Sequence, residues 1–431
     1  MPLPVEPGIQ SGPRPPDAIS ARPPGLRILM LAQFYSPIIG GEERMVQDTS
    51  RELASRGHSV AVATLWHPGL AEFELDGPVR IYRIRSMVER ATWLFKESGR
   101  RHAPPWPDPG IAQGLRKVLR HEQPQIVHAH NWIVHSFLPL KRWSRARLVL
   151  TLHDYSLVCA QKRMVYRGWA CDGPGFVKCA ACAANHYGLA KGVPTALATS
   201  AATLWVPPAV DLFLPVSRAV AAQCELDRRG AHYQVVPNFI PSELPGQKFD
   251  TAPFVAQLPP GDFLLFVGDL SVDKGLQVLL DAYAEIPQAP PLVLIGRRCA
   301  DTPAKFPRNV YFLNSWPHEA VIEAWRRSLI GLVPSVCPET FGLVALEAMA
   351  AGRAVIASHI GGLPDVVVEG ETGLLVPPGD PTALQNAIQR LLLDRALCCR
   401  LGEAAQRRTA DFSAGAVVPR LEGLYRELVD A

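Results

Sequence analysis

Short apolar runs recur along this chain, bounded by Gly, Pro or polar turns and separated by stretches whose apolar positions fall three and four residues apart. Leu26 to Leu31 is the first, a continuous run of the kind buried on both faces of a parallel sheet. A helix with Met45, Thr49 and Leu53 on one face follows it and ends at Gly57, and Val60 to Ala63 is the next strand. Strands at Val79–Ile84, Gln125–His128 and Leu148–Leu152 continue the alternation, with helices over 110–121 and 132–143. Cys159 to Tyr187 breaks the period and reads as an irregular insert. A weakly apolar helix over 189–206, strand Leu212–Val216, a helix capped by Ser217 and strand Gln234–Pro237 complete the first half. The second half repeats the pattern. Strands Phe263–Val267, Leu292–Ile295, Val310–Leu313, Leu329–Pro334 and Ala354–Ala357 alternate with helices over 274–286, 318–328 and 380–393.

Two βα-repeating halves predict an α/β protein of two Rossmann-like, doubly wound parallel-sheet domains facing a cleft. The first spans 25–237 and the second 262–410, joined by an aperiodic, proline-rich linker at 238–261. Residues 1–24 hold eight prolines and read as a disordered tail, and 411–431 as a helix packing back on the first domain. At 431 residues, two domains of about 200 residues each fit the length. Hydrophobic content of 48% with 19% charged residues is globular, and a net charge of +4 does not call for nucleic acid. That charge allows peripheral contact with an acidic membrane, although the basic stretches Lys141–Arg147 and Arg83–Arg101 read first as solvated faces. No run reaches the roughly 20 apolar residues of a membrane span, and no signal peptide is visible. Nine cysteines, with Cys398 and Cys399 adjacent, do not form a secreted disulfide framework, so the cytoplasm is the expected compartment.

The candidate chemistry sits at predicted strand ends. Ser335 to Gly352 places Glu339 in the turn after a buried strand and Glu347 two turns inside the following helix, which Gly352 stops. Gly342 leaves the first amides of that helix open to an anion. Alone, the two acids fit a cap and a buried carboxyl as well as they fit the hydroxyls of a sugar nucleotide. Lys274 stands at a helix start, where it opposes the helix dipole unless an anion binds there. The pairs Gly40-Gly41 and Gly361-Gly362 let the backbone approach a ligand closely. No G-x-G-x-x-G follows the first strand, which disfavours a dinucleotide cofactor. His128 and His130 share one face of a strand end and His153-Asp154 ends the next; cleft-lining polar residues fit these better than a metal site does. Cys159, Cys171, Cys179 and Cys182 cluster as C-x11-C-x7-C-x2-C inside the insert. Their closing C-x2-C is half of a tetrahedral site, predicting a structural metal, most simply zinc, over packed free thiols.

Taken in order, these residues resemble glycosyltransferase family 4. Pro338 to Gly352, with its E-x7-E pair, carries the resemblance, together with Tyr35 to Glu42, His128 to Asn131, Leu152-His153-Asp154, Val236-Pro237-Asn238, Lys274-Gly275, Gly361 to Asp365 and Gly373 to Asp380. The resemblance implies the GT-B fold and a retaining glycosyltransferase without a catalytic metal. It implies a UDP-, GDP- or ADP-sugar donor on the second domain and a glycan, lipid-linked saccharide or small-metabolite acceptor on the first. Carried onto this chain, Glu339 would contact the donor sugar and Glu347 the ribose. Lys274 and the amides of Phe341, Gly342 and Leu343 would hold the diphosphate, with Gly41 beside it and His153 near the reacting centre.

One position departs from the family: Asp269 stands where an arginine usually partners the lysine. Facing a diphosphate, an aspartate would cost about 4 kcal/mol per charge at about 4 Å and an effective dielectric of about 20. Asp269 is therefore expected to turn away, towards Lys274 or a helix N-terminus, with Arg297 and Arg298 supplying the missing charge. The same aspartate supports the alternative of a GT-B protein that binds a nucleotide sugar without turnover, or a scaffold; a nucleotide-sugar epimerase is a further rival that the E-x7-E pair disfavours.

Overall fold

The computed structural model describes residues 25–38, 40–87, 102–240 and 250–431. The proline-rich stretch 1–24, residues 241–249 of the expected linker and 88–101 of the second basic run lie outside the described residues. In the first half, β1 (Arg27–Leu31), α1 (Gly41–Ser55), β2 (Ser59–Leu65), β3 (Phe73–Asp76), β4 (Val79–Ile84), α2 (Pro109–Glu122), β5 (Ile126–His130), α3 (Val134–Lys141) and β6 (Arg147–Leu152) follow in turn. The insert then forms β7 (Val165–Tyr166), β8 (Trp169–Ala170) and α4 (Phe176–Tyr187), before α5 (Leu189–Ala209), β9 (Leu212–Pro215) and α6 (Arg218–Gln223). The sheet order is β3-β4-β2-β1-β5-β6-β9, parallel throughout except for the antiparallel edge strand β3.

A short helix, α7 (Ala252–Val255), leads into β10 (Leu264–Val267), α8 (Leu276–Ala284), β11 (Leu292–Gly296), β12 (Val310–Asn314), α9 (His318–Arg327) and β13 (Ile330–Val333). After these come α10 (Leu343–Ala350), β14 (Ala354–Ser358), α11 (Leu363–Val366), β15 (Gly373–Val376), α12 (Pro381–Leu393), α13 (Arg395–Arg408) and α14 (Ala414–Asp430). The second sheet is fully parallel, in the order β12-β11-β10-β13-β14-β15. Its strands are short and apolar because helices cover both faces; Leu264, Leu292, Ile330 and Ile356 are all fully buried.

The helix α14 does not stay with the second domain. Val417, Val418, Leu421 and Tyr425 pack with Leu26, Ile28 and Met30 in the core of the first. The Tyr425 hydroxyl lies 2.6 Å from His128 Nδ1 on β5, and Glu422 pairs with His58 at 2.6 Å and Arg56 at 3.2 Å. The chain thus crosses the cleft twice.

Several local expectations differ from the structure. The insert is not irregular: it holds a two-stranded hairpin and a 12-residue helix. Gln234–Pro237 forms no strand. Alternate amides of Gln234 and Val236 bond to Phe213 and Pro215, but Pro215 and Pro237 have no N–H with which to extend a ladder. The helix expected from residue 274 begins at Leu276 because Gly275 takes φ +77°, and a Cβ there would stand 1.8 Å from the Pro334 carbonyl oxygen. That contact locks the loop after β10 against the loop after β13.

Replacing Tyr425 with Phe strands His128 Nδ1 in the core, and an unmet buried hydrogen bond costs about 1–3 kcal/mol. Thermal unfolding of Tyr425→Phe is expected to begin earlier than in the wild type; an unchanged curve would show that α14 contributes nothing polar to the first domain.

Candidate active site

Strand order reverses between β10 and β13 in the second sheet and between β1 and β5 in the first. Ligands of such sheets bind in the crevice beyond the carboxyl ends at this reversal. The loop Gly268–Gly275 leaves β10 there and the loop Pro334–Gly342 leaves β13. Lys274 Nζ donates to Glu339 Oε1 at 2.6 Å, and the Ser335 hydroxyl donates to the same oxygen at 2.7 Å. Burial alone would raise the Glu339 pKa, but the Lys274 charge and the hydrogen bonds from Lys274 and Ser335 outweigh it and hold the carboxyl below its usual value. The ion pair lines a cleft pocket of about 640 Å³ together with Tyr155, Lys162 and Arg163 of the first domain, a volume suited to a small-molecule ligand.

Directly beyond Glu339, α10 begins at Leu343 with Gly342 as its N-cap at φ +109°. Among the described residues, the amides of Phe341, Gly342 and Leu343 donate to no backbone carbonyl, which leaves three donors at a helix start for an anion. A Cβ on Gly41, the first residue of α1, would come within 3.7 Å of Leu343 Cδ1, so the two domains meet at this helix start. Gly361 approaches the Glu339 backbone so closely that a Cβ would stand 2.1 Å from the Glu339 carbonyl oxygen. The first domain grips the same loop: Tyr155 donates to Glu339 O at 3.4 Å and Ser217 to Thr340 O at 2.6 Å.

On the facing wall, Asn131 directly follows β5 in the left-handed region at φ 64°. Its Nδ2 donates to Glu42 at 3.0 Å and Asp154 at 2.9 Å, while its Oδ1 accepts from Lys162 Nζ at 2.6 Å. Burial, followed by the Asp154 carboxylate, raises the Glu42 pKa to about 7. Burial also lowers the Lys162 pKa, against the opposing pull of Asp154 and Glu42. Behind this cluster His130 Nδ1 lies 2.9 Å from His153 Nε2, and the rings of His128 and His130 are 4.3 Å apart. Burial lowers the His153 pKa to about 4 and the His128 pKa to about 3, so both imidazoles are neutral at pH 7.

The structure therefore brings together Gly41, Lys274, Glu339 and the amides of Phe341 to Leu343, with His153 on the opposing wall. Two other expectations fail geometrically. Asp269 turns neither to Lys274 nor to a helix N-terminus; it accepts both Arg297 Nε and Nη2 at 3.0 Å. Arg298 bonds to the Pro303 carbonyl at 2.8 Å and lies 4.8 Å over the rings of Phe306 and Phe312, outside the cleft. Glu347 is engaged by His318 Nε2 at 2.9 Å. From the first domain, Arg163 reaches the loop after β10 and pairs with Asp273 across the cleft. Sequence reasoning missed Arg163 and Lys162 because they come from the insert, which carries no periodic signal; Glu42 and Asp154, each adjacent to a motif residue, were the detectable members. Among the described residues no group of three or more His, Cys, Asp or Glu side chains is placed to hold a metal ion. Cys159, Cys171, Cys179 and Cys182 are free thiols that line one small cavity beneath the insert.

Comparison with known proteins bears on this geometry. Residues 250–408 match the family model described as glycosyl transferases group 1, and residues 39–244 that of glycosyltransferase family 4. The D-inositol 3-phosphate glycosyltransferase of Corynebacterium efficiens is 37% identical over 182 residues, a match that spans 38% of this chain and 43% of that protein, less than half its length. The glycogen synthase of Mycobacterium tuberculosis is 29% identical over 430 residues, covering 93% of this chain and 94% of that one. Sucrose-phosphate synthase from Thermosynechococcus elongatus shares the fold with a TM-score of 0.71 at 24% identity, over 93% of this chain and 98% of its own. Anabaena HepE, solved with UDP-glucose, shares it with a TM-score of 0.62 at 18% identity, over 93% and 100%. With a family match on each half, and with two parallel-sheet domains opposed across a cleft, this chain is a GT-B glycosyltransferase and belongs to glycosyltransferase family 4.

Proposed function

We propose that this glycosyltransferase takes its sugar from a nucleotide-sugar donor and moves it to a hydroxyl acceptor with retention of anomeric configuration. The observation that carries this reading is the Lys274–Glu339 pair at the sheet's reversal point, beside the three amides at the start of α10. The two partners match the two halves of such a donor. With the donor bound, Lys274 turns to the diphosphate, and the Glu339 carboxylate accepts hydrogen bonds from sugar hydroxyls. The helix N-terminus adds its dipole to the leaving phosphate, so charge that develops as the glycosidic bond breaks meets fixed positive groups. Lys162 and Arg163, and neither Arg297 nor Arg298, line the same pocket as further cations.

The acceptor hydroxyl approaches from the Glu42–Asn131–Asp154–Lys162 wall and loses its proton to the departing phosphate on the same face. His153, neutral at pH 7, serves as a hydrogen-bond partner to the sugar and not as a proton source. UDP-, GDP- and ADP-sugars all present the diphosphate this site fits, and the UDP-glucose complex of HepE supports that class. A protein that binds the donor without turnover is the reading that Asp269 favours, because its pairing with Arg297 removes a cation from the loop. Release of nucleoside diphosphate in the presence of an acceptor separates the two.

Lys274→Ala is expected to lower kcat/KM by roughly 10²–10³-fold, the scale of losing one preorganised charge donor, and Arg163→Ala to weaken donor binding. Arg298→Ala should leave donor affinity unchanged. Diphosphate-release assays over a donor panel, with the product anomer assigned by proton NMR, check all three; equal damage from Arg298→Ala, or an inverted product, would overturn the assignment.

Glu42 gives a pH signature. Its folded pKa of about 7 lies above the ordinary 4.5, so the folded state holds an extra proton in that window. Its contribution to stability is complete below 4.5 and is lost as pH rises through about 7. Unfolding midpoints of wild type and Glu42→Gln are therefore expected to diverge in favour of the variant as pH rises across this range. A constant difference would show that Glu42 ionises normally.

A further inference from the structure

The insert between Cys159 and Tyr187 reaches across the cleft yet has almost no core of its own. Within it only Ala160, Met164 and Ala183 are buried, while Trp169, Phe176 and Val177 are each more than 60% exposed. Helix α4 packs on α5, where Gly192 closes on the Ala183 backbone, but the hairpin and its flanking loops bury little, and small units with slight cores are commonly cross-linked. Nevertheless the segment delivers specific contacts. It sets Lys162 on Asn131 and Arg163 on Asp273, and a thiol contact of 3.9 Å joins Cys337 to the Gly168 carbonyl.

The candidate cross-link is the cysteine set. Cys159 precedes the hairpin, Cys171 directly follows it, and Cys179 and Cys182 occupy the first two turns of α4. All four line a single cavity of about 20 Å³, room for one ion. Burial raises the Cys159 thiol pKa, and the backbone amides of Gln161 to Met164 partly offset that rise. Gly175 N donates to Cys179 Sγ at 3.3 Å and Gln161 Nε2 to Cys182 Sγ at 2.9 Å. As placed, the sulfurs of Cys171 and Cys182 turn to the carbonyls of Gly173 (3.3 Å) and Val165 (3.7 Å), so three ligands are not gathered. The four thiols are nonetheless neighbours: Cys159, Cys171 and Cys179 each act electrostatically on Cys182.

We propose that Cys159, Cys171, Cys179 and Cys182 bind one zinc ion, and that this ion fixes the insert as a bridge carrying Lys162 and Arg163 into the cleft. Binding exchanges four S–H bonds for four Zn–S bonds and releases four protons to solvent; no oxidant or reductant is involved. The donated N–H groups and the nearby Lys178 offset the negative charge of the tetrathiolate.

The test uses the full chain, purified under reducing, oxygen-free conditions. Metal analysis is expected to find about one zinc per chain, lost in Cys179→Ser/Cys182→Ser. Cobalt(II) added to metal-stripped protein should give the thiolate charge-transfer and visible bands of a tetrahedral sulfur site. Should the double variant fail to fold, the cobalt spectrum of the wild type still decides the matter. Zinc should also protect the 159–187 segment from limited proteolysis. Sub-stoichiometric metal with no cobalt–thiolate spectrum, or alkylation mapping that finds these cysteines as disulfides in the native chain, would overturn the proposal.

Discussion

A lysine and a glutamate held against each other at the mouth of the second sheet are the constraint on which this structure turns. The Lys274–Glu339 pair joins the loop after β10 to the loop after β13, and neither loop is free to place its charge elsewhere. Gly275 presses onto the Pro334 carbonyl, while Gly361 closes on the backbone of Glu339 from the other side. The carboxylate is kept ionised in a buried position because a cation and a hydroxyl attend it. Removing either partner would leave an uncompensated charge, which is why such pairs are strongly coupled. The same feature makes the site receptive, since a ligand that brings both an anion and hydroxyls satisfies the two partners separately.

The first domain is organised to meet this pair. Tyr155 and Ser217 bond to the carbonyls of Glu339 and Thr340, fixing the donor loop from across the cleft. Asn131 gathers Glu42, Asp154 and Lys162 into one neutralised cluster, so a facing wall that would otherwise repel a phosphate presents balanced charge. The buried histidines behind it are neutral and linked through His128 to Tyr425 on α14. The last helix of the chain therefore supports the acceptor wall although it follows the second domain in sequence.

How far the sequence reaches can be judged from individual residues. Strands such as Val79–Ile84 were legible from an uninterrupted apolar run, and helices such as α12 from an apolar period that begins at a clear N-cap, Asp380. Glu339, Lys274, Gly41 and the amides at the start of α10 were legible because each lies on the connection that leaves a strand's carboxyl end. Strand β3 and helix α11 escaped, being four residues each with little periodicity to detect. Arg297 and Arg298 were misplaced because side-chain direction at a strand end depends on neighbours distant in sequence: Asp269 takes one and two phenylalanine rings take the other. Arg163 was invisible for the converse reason. Nothing local ties it to Asp273, 110 residues away; the fold of the insert does.

If Lys274 and Glu339 part to receive a nucleotide-linked sugar, ligand-induced stabilisation shows it most directly. In a thermal-shift series of UDP-, GDP- and ADP-sugars against the wild type, one nucleotide class should raise the unfolding midpoint, by about 2.7 kcal/mol of stability at roughly 100 times its dissociation constant. The same ligand should leave Lys274→Ala unshifted. If no nucleotide sugar stabilises the wild type, or if the variant is stabilised equally, the pair is not the donor grip.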